Sequence, residues 1–162
     1  DIAKASDFEN LKFVHGWIGD YDLKDTDILI ALHACNTATD DAIFKGIRAE
    51  ADLIVVAPCC HQELRPQIEP PEMLKNILKH GVMLEREAES ITDGLRAILL
   101  EKSGYQTKLF EFVSTEHTPK NNMIVGTRQK KKPDDAKFDE QVKAIKDFYG
   151  IKEQRLENLL KS

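Results

Sequence analysis

The sequence predicts an α/β domain whose mostly parallel sheet closes in an antiparallel hairpin. Three patterns support this. Residues 27–40 (DILIALHACNTATD) and 51–57 (ADLIVVA) are apolar runs of strand length, and buried parallel strands read as continuous apolar runs. The stretch between them has helical character, so strand, helix and strand form one βαβ unit. Residues 106–114 (QTKLFEFVS) and 122–128 (NMIVGTR) are two further strand patterns. The link between them, residues 115–121 (TEHTPKN), is too short for a parallel crossover and predicts an antiparallel pair.

Taken in order, residues 12–17 (KFVHGW) read as a first short strand, with Gly19 and Asp20 opening a loop. A second strand follows at residues 27–34. Thr37 precedes Asp40 by three positions, a capping-box spacing that predicts a helix to about Glu50 with Asp40 as its cap. The third strand covers residues 51–59 and delivers Pro58, Cys59, Cys60 and His61 at its exit. Pro66, Pro70 and Pro71 break the chain, and a short helix over residues 71–79 is predicted to stop at Gly81. Leu84, Ala88, Ile91, Leu95 and Ile98 recur at spacings of three and four, predicting a long helix over residues 84–102 with Ser103 and Gly104 as its stop. Beyond the last two strands, Phe138, Val142, Ile145 and Tyr149 mark an amphipathic helix ended by Gly150, followed by a short helical tail.

Composition narrows the class. The 162 residues suffice for one core, and 41% apolar with 31% charged is globular usage. No apolar run reaches the roughly 20 residues of a membrane span. The first ten residues, DIAKASDFEN, lack both a signal-peptide pattern and an initiator Met, and read as an internal cut point. Three Cys do not make a disulfide framework, which points to a reducing cytoplasm. With 23 basic against 28 acidic residues, bulk charge does not favour nucleic acid. The basic run RQKKK at residues 128–132, followed by Pro133, Asp134 and Asp135, reads as a solvated connector.

LHACNTATDDAI (residues 32–43) together with APCCHQEL (57–64) resembles a class I S-adenosylmethionine-dependent methyltransferase subfamily typified by L-H-A-C-x-x-A-T-D and P-C-C-H. A related pairing, H-L-C-G-x-A-T-D with C-C-H-H, occurs in the eukaryotic tRNA ribose 2′-O-methyltransferases. TDGLRAILLEKSGY (92–105) and EFVSTEHTPKNNMI (111–124) are similar to bacterial members. The resemblance covers residues 13–128 and implies a three-layer, Rossmann-like methyltransferase fold. In that family a first strand carries a Gly-rich cofactor turn and a second an acidic residue for the ribose. The eight Gly here include no G-x-G, so the resemblance implies the C-terminal portion of the domain, with the first β-α-β segment missing. On this reading residues 1–128 are that portion, 129–135 a polar connector and 136–162 a helical extension.

The resemblance implies S-adenosylmethionine as cofactor, bound through Trp17, Ile18 and Asp20 at the adenine and through Leu32 in the methyl-transfer pocket. Trp17 in a core and Asp20 in a turn are the plainer reading of those residues. His33 offers a ring nitrogen that accepts a proton near neutral pH, or it is a backbone-bonded loop residue. Cys35, Asn36, Cys59, Lys120 and Asn121 are candidate substrate contacts, and Cys60 and His61 complete the catalytic candidates with His33. For the Cys-Cys-His run three readings stand: a thiolate nucleophile served by His33, a zinc site from Cys35, Cys59, Cys60 and His61, or a neutral pocket wall with His61 bonding substrate. The wall is preferred, because methyl transfer from a sulfonium needs no enzyme nucleophile and is helped chiefly by proximity and orientation. Neighbouring side chains at a strand end point apart, which places His61 poorly to serve Cys60, and zinc is rated low because the C-x-x-C spacing that lets two thiolates meet one ion is missing. No metal is therefore expected.

RNA is the acceptor that family analogy suggests, although a histidine, an amine or a small metabolite fits the same chemistry. No membrane partner is expected, and the sequence leaves the oligomeric state open. Two other classes stay open: a Cys/His-dependent hydrolase or redox protein, and a non-catalytic interaction module on the same scaffold.

Overall fold

The computed structural model describes residues 6, 8, 10–113, 121–130 and 135–162. Among them, four strands form one mixed sheet in the order β1-β2-β4-β3: β1 (Ile28–Leu32), β2 (Leu53–Ala57), β3 (Tyr105–Glu111) and β4 (Asn122–Arg128). β1 and β2 run parallel, with Leu29 opposite Ile54 and Leu32 opposite Ala57. β4 enters between β2 and β3 and is antiparallel to both. The sheet is thus mixed: β1, β2 and β3 run one way and β4 runs against them. The helices are α1 (Thr37–Arg48), α2 (Lys75–Leu78), α3 (Gly81–Lys102), α4 (Asp135–Tyr149) and α5 (Arg155–Lys161), with short 3-10 turns at Ile18–Asp20 and Glu72–Leu74. Residues 131–134, the middle of the expected connector, lie outside the described residues.

One expected strand is absent. Residues 12–17 form no strand, and Phe13 and Trp17 are 88% and 82% exposed. β1 is the sheet edge, and residues 12–17 do not join it. A strand holds its shape through ladder bonds to a neighbour. The short helix ends at Leu78, before Gly81 as expected, but α3 begins at Gly81 rather than at Leu84, with His80 as its N-cap.

One face of the sheet carries the core. Leu29 and Ile54 share a row with Gly126. Ile54 is fully buried, while Ile43 of α1 and Leu99 and Leu100 of α3 join it in the same cluster. Gly46 lets α1 sit close to this row, because a Cβ there would come within 2.9 Å of Ile54 Cγ1. On α3 the expected stripe holds, with Ala88, Ile91 and Leu95 buried. The opposite face is open at its edge, where Ile28, Ile30 and Leu32 are exposed. The C-terminal helices belong to the same core: Val142, Ile151 and Leu156 are in the cluster. Gly150 adopts φ 70°, the left-handed conformation suited to ending a helix. No helix among the described residues is long and apolar enough to cross a membrane.

Candidate functional site

Parallel pairing aligns the carboxyl ends of β1 and β2, so the segments that follow them emerge side by side. The chain turns sharply after β1, with His33 at φ 60° and Asn36 at φ 54°. Asn36 is then clamped from two directions. Its Oδ1 accepts from the Glu63 backbone N–H at 2.9 Å, and its carbonyl accepts from Arg96 Nη2 at 2.9 Å. The loop after β1 is thereby tied to both the loop after β2 and α3, and Asn36 is a fixed brace with its amide oxygen occupied.

A cleft of about 720 Å³ lies along the β1 edge, lined by Trp17, Ile18, Asp20, Tyr21, Leu32 and His33 among others. The structure thus gathers the four residues expected to meet a cofactor, and the expected proton acceptor, around one cavity. Trp17 is not a core aromatic, since most of its surface faces solvent over this cleft. His33 is exposed.

The cysteines lie apart from that lining and form a cluster of their own. Cys35 Sγ is 3.2 Å from Cys59 Sγ, which is 3.8 Å from Cys60 Sγ. All three are free thiols. Burial, then hydrogen bonding to Cys35 and Cys60, pushes the Cys59 thiol up to about 12. In the metal-free cluster a thiol held that high is a poor nucleophile, which weighs against a Cys59 thiolate attack.

His61 sits elsewhere again. It is 1% exposed, and its Nε2 lies 3.0 Å from Asp93 Oδ1. Burial alone would raise the Asp93 carboxyl, but the hydrogen bond to His61, the charges of His61 and Arg96 and a bond from Asn122 hold it below its ordinary range. An ionised carboxylate only accepts, which puts the imidazole proton on Nε2. His61 Nδ1 is buried with no partner among the described residues.

Behind His61 lies a charged network that sequence patterns did not suggest. Arg96, 1% exposed, donates to Asp40 through Nε at 3.2 Å and Nη2 at 2.6 Å, and to Asp93 Oδ1 through Nη1 at 3.2 Å. Gln154 Nε2 donates to Asp40 Oδ1 at 2.7 Å, and Asn122 Nδ2 to Asp93 Oδ2 at 3.2 Å. Asp40 is therefore no helix cap. The N-cap of α1 is Asn36, without a side-chain capping bond, and Asp40 points into the core to meet Arg96. The sequence did hold a signal: Thr92 and Arg96 fall four and eight positions after Ala88, on the stripe that α3 buries. An arginine on a buried stripe demands acidic partners.

Asn121 is 2% exposed, and its Nδ2 donates to the Val113 carbonyl at 2.7 Å, closing the base of the hairpin. Lys120 lies outside the described residues.

Glu63 has its own pH signature. Burial, followed by the charge of Asp40, pushes its carboxyl up to about 7, against a smaller opposing pull from Arg155 and Arg96. Its Oε2 is buried with no partner among the described residues. A carboxyl raised by folding stabilises the fold most below its ordinary value of 4.5 and loses that contribution as pH rises through about 7. Each pH unit between those two values is worth roughly 1.4 kcal/mol, of which a half-buried group realises only a part. Glu63→Gln should therefore gain on wild type by about 1–3 kcal/mol across that interval. Urea unfolding of both proteins from pH 4 to pH 8 checks this, and a difference independent of pH would contradict it.

Residues 1–67 match a family model described as a methyltransferase domain. A glutathione S-transferase C-terminal domain-containing protein homolog of Drosophila pseudoobscura pseudoobscura is 30% identical over 135 residues, covering 66% of this chain and 23% of that protein. Its Drosophila melanogaster namesake is 29% identical over 135 residues, with the same 66% and 23% coverage. The Homo sapiens glutathione S-transferase C-terminal domain-containing protein is 27% identical over 124 residues, covering 62% of this chain and 19% of that protein. The chain spans less than a quarter of the length of these relatives. No solved structure matches. The family match supports a methyltransferase domain in residues 1–67, the stretch that carries the cleft, both strand exits and all three cysteines.

Proposed function

We propose that this chain carries the C-terminal portion of an S-adenosylmethionine-dependent methyltransferase fold and transfers a methyl group to a nucleophile, with RNA as the acceptor class. The observation that carries this reading is the coincidence of the methyltransferase-domain match with the cleft of Trp17, Ile18, Asp20, Leu32 and His33. In this reading Trp17 and Ile18 give an apolar wall for adenine, and the Asp20 carboxylate accepts from its exocyclic amine. Leu32 borders the methyl group. His33, at the cleft and facing solvent, takes the proton that the attacking hydroxyl, amine or ring nitrogen gives up. The methyl transfer itself is an in-line displacement that the protein assists by holding the two reactants in line. The open face bearing Ile28, Ile30 and Leu32 is where a three-layer fold places its other helical layer. Three free thiols fit a reducing, cytoplasmic setting. The raised Cys59 thiol weighs against Cys59 as the nucleophile of the hydrolase alternative.

The chain has a single tryptophan, so Trp17 emission reports on the cleft without interference. S-adenosylmethionine should quench it saturably, with a weak dissociation constant of about 1 mM because no Gly-rich turn grips the cofactor. Asp20→Ala should weaken that response further. Unchanged Trp17 emission at several millimolar cofactor, under conditions where the chain is folded, would overturn the assignment of the cleft.

A further inference from the structure

We infer that Cys35, Cys59 and Cys60 form a binding site for a thiophilic d10 cation, Zn²⁺ in the first instance, with one coordination position left for an external ligand. The sulfur atoms of the three residues all lie within 4.8 Å of one another. Tetrahedral zinc with Zn–S bonds of about 2.3 Å sets its sulfurs about 3.8 Å apart. Cys59 and Cys60 are 3.8 Å apart, Cys35 and Cys59 are 3.2 Å apart and the third pair lies within 4.8 Å, so shifts of about 1 Å or less bring the three onto one ion.

Sequence spacing argued against such a site, and the fold shows why spacing misleads. The missing C-x-x-C matters when one loop must supply two ligands. Here Cys35 comes from the exit of β1 and the vicinal pair from the exit of β2, and parallel pairing of Leu32 with Ala57 sets those exits side by side. β2 ends at Ala57, so Cys59 and Cys60 lie beyond the pleat that would send neighbouring side chains to opposite faces. His61, the fourth ligand of the zinc reading that was rated low, stands outside the cluster and is engaged with Asp93.

The surroundings suit a preformed site. Asn36, next to Cys35, is held by Glu63 and Arg96, which fixes the loop before any ion arrives. Cys59 and Cys60 are half-buried, whereas Cys35 is exposed. The open position therefore faces solvent on the Cys35 side, where water or a sulfur or nitrogen ligand from a substrate completes the shell. Soft thiolates favour Zn²⁺ and its d10 relatives over Mg²⁺ or Ca²⁺, which take oxygen.

The test is a Zn²⁺ titration of the tag-free, reduced chain against a chromophoric chelator, paralleled by Cd²⁺ with detection of sulfur-to-metal charge-transfer absorption. One equivalent should bind, and Zn²⁺ should protect the three thiols of the wild-type chain from alkylation. Cys35→Ser, at an exposed position, should weaken Zn²⁺ by more than the roughly 10–100-fold that loss of an outer partner costs, with no change in Trp17 emission. Absence of thiol protection in the wild-type chain overturns the site. So does a folded Cys35→Ser chain that binds Zn²⁺ as tightly as wild type, or a Cys35–Cys59 disulfide that persists in reductant.

Discussion

Arg96→Leu should lower the unfolding free energy by about 3–5 kcal/mol, the typical effect of removing one partner from a buried ion pair. Arg96 donates to both Asp40 and Asp93, and all three side chains are 1% exposed or less. Burial would lower the guanidinium, but the adjoining carboxylates outweigh it and hold its pKa above the ordinary value, so the charge is always present. Among the described residues, leucine would leave Asp40 with Gln154 and Asp93 with His61 and Asn122 as side-chain partners. For a chain of this size the melting temperature should fall by roughly 6–20 °C. Lys143→Ala supplies the comparison, because its ion pair with Asp147 is exposed and such pairs contribute about 0–1 kcal/mol. Equal effects from the two substitutions would show that the buried network is not a principal support of the fold.

His33→Asn should lower methyl-transfer turnover by about 10²–10⁴-fold, the usual contribution of a general base. The choice of asparagine matters. His33 has φ 60°, and asparagine tolerates that region better than most residues, so the loop should keep its course while losing the basic nitrogen. Steady-state kinetics on a form of the protein that transfers methyl groups should show the loss in kcat. Cofactor affinity, read from Trp17 emission, should stay nearly unchanged. A variant with full turnover would remove His33 from the chemistry and leave it a loop residue.

Local pattern determined most of the secondary structure. The two apolar runs became β1 and β2, the stripe from Leu84 to Ile98 became the inward face of α3, and the short link after β3 led to an antiparallel β4. Those outcomes depend on hydrophobic period and on link length, both of which are written in consecutive residues. The residues of the cleft were also legible, because they cluster near the ends of local elements and within motifs that resemble a known family.

What the sequence could not decide depends on partners far away in the chain. KFVHGW has strand composition, yet no ladder is made there, since a strand is a property of a pair. Thr37 and Asp40 have cap spacing, but the Asp40 carboxylate gains more from Arg96, fifty-six positions later, than from a local N–H. The Gly46 approach to Ile54 needed the packing of α1 on the sheet to become visible. Most consequential, Cys35 and Cys59 are separated by twenty-four positions and meet only because β1 and β2 lie parallel and end together. The sequence by itself named the candidate residues at the strand exits. Tertiary structure decided which of them share a space: His33 with Trp17 at the cleft, the three thiols at their own corner, and His61 in the core with Asp93. Side-chain chemistry is local, whereas proximity is set by how strands pair and helices pack.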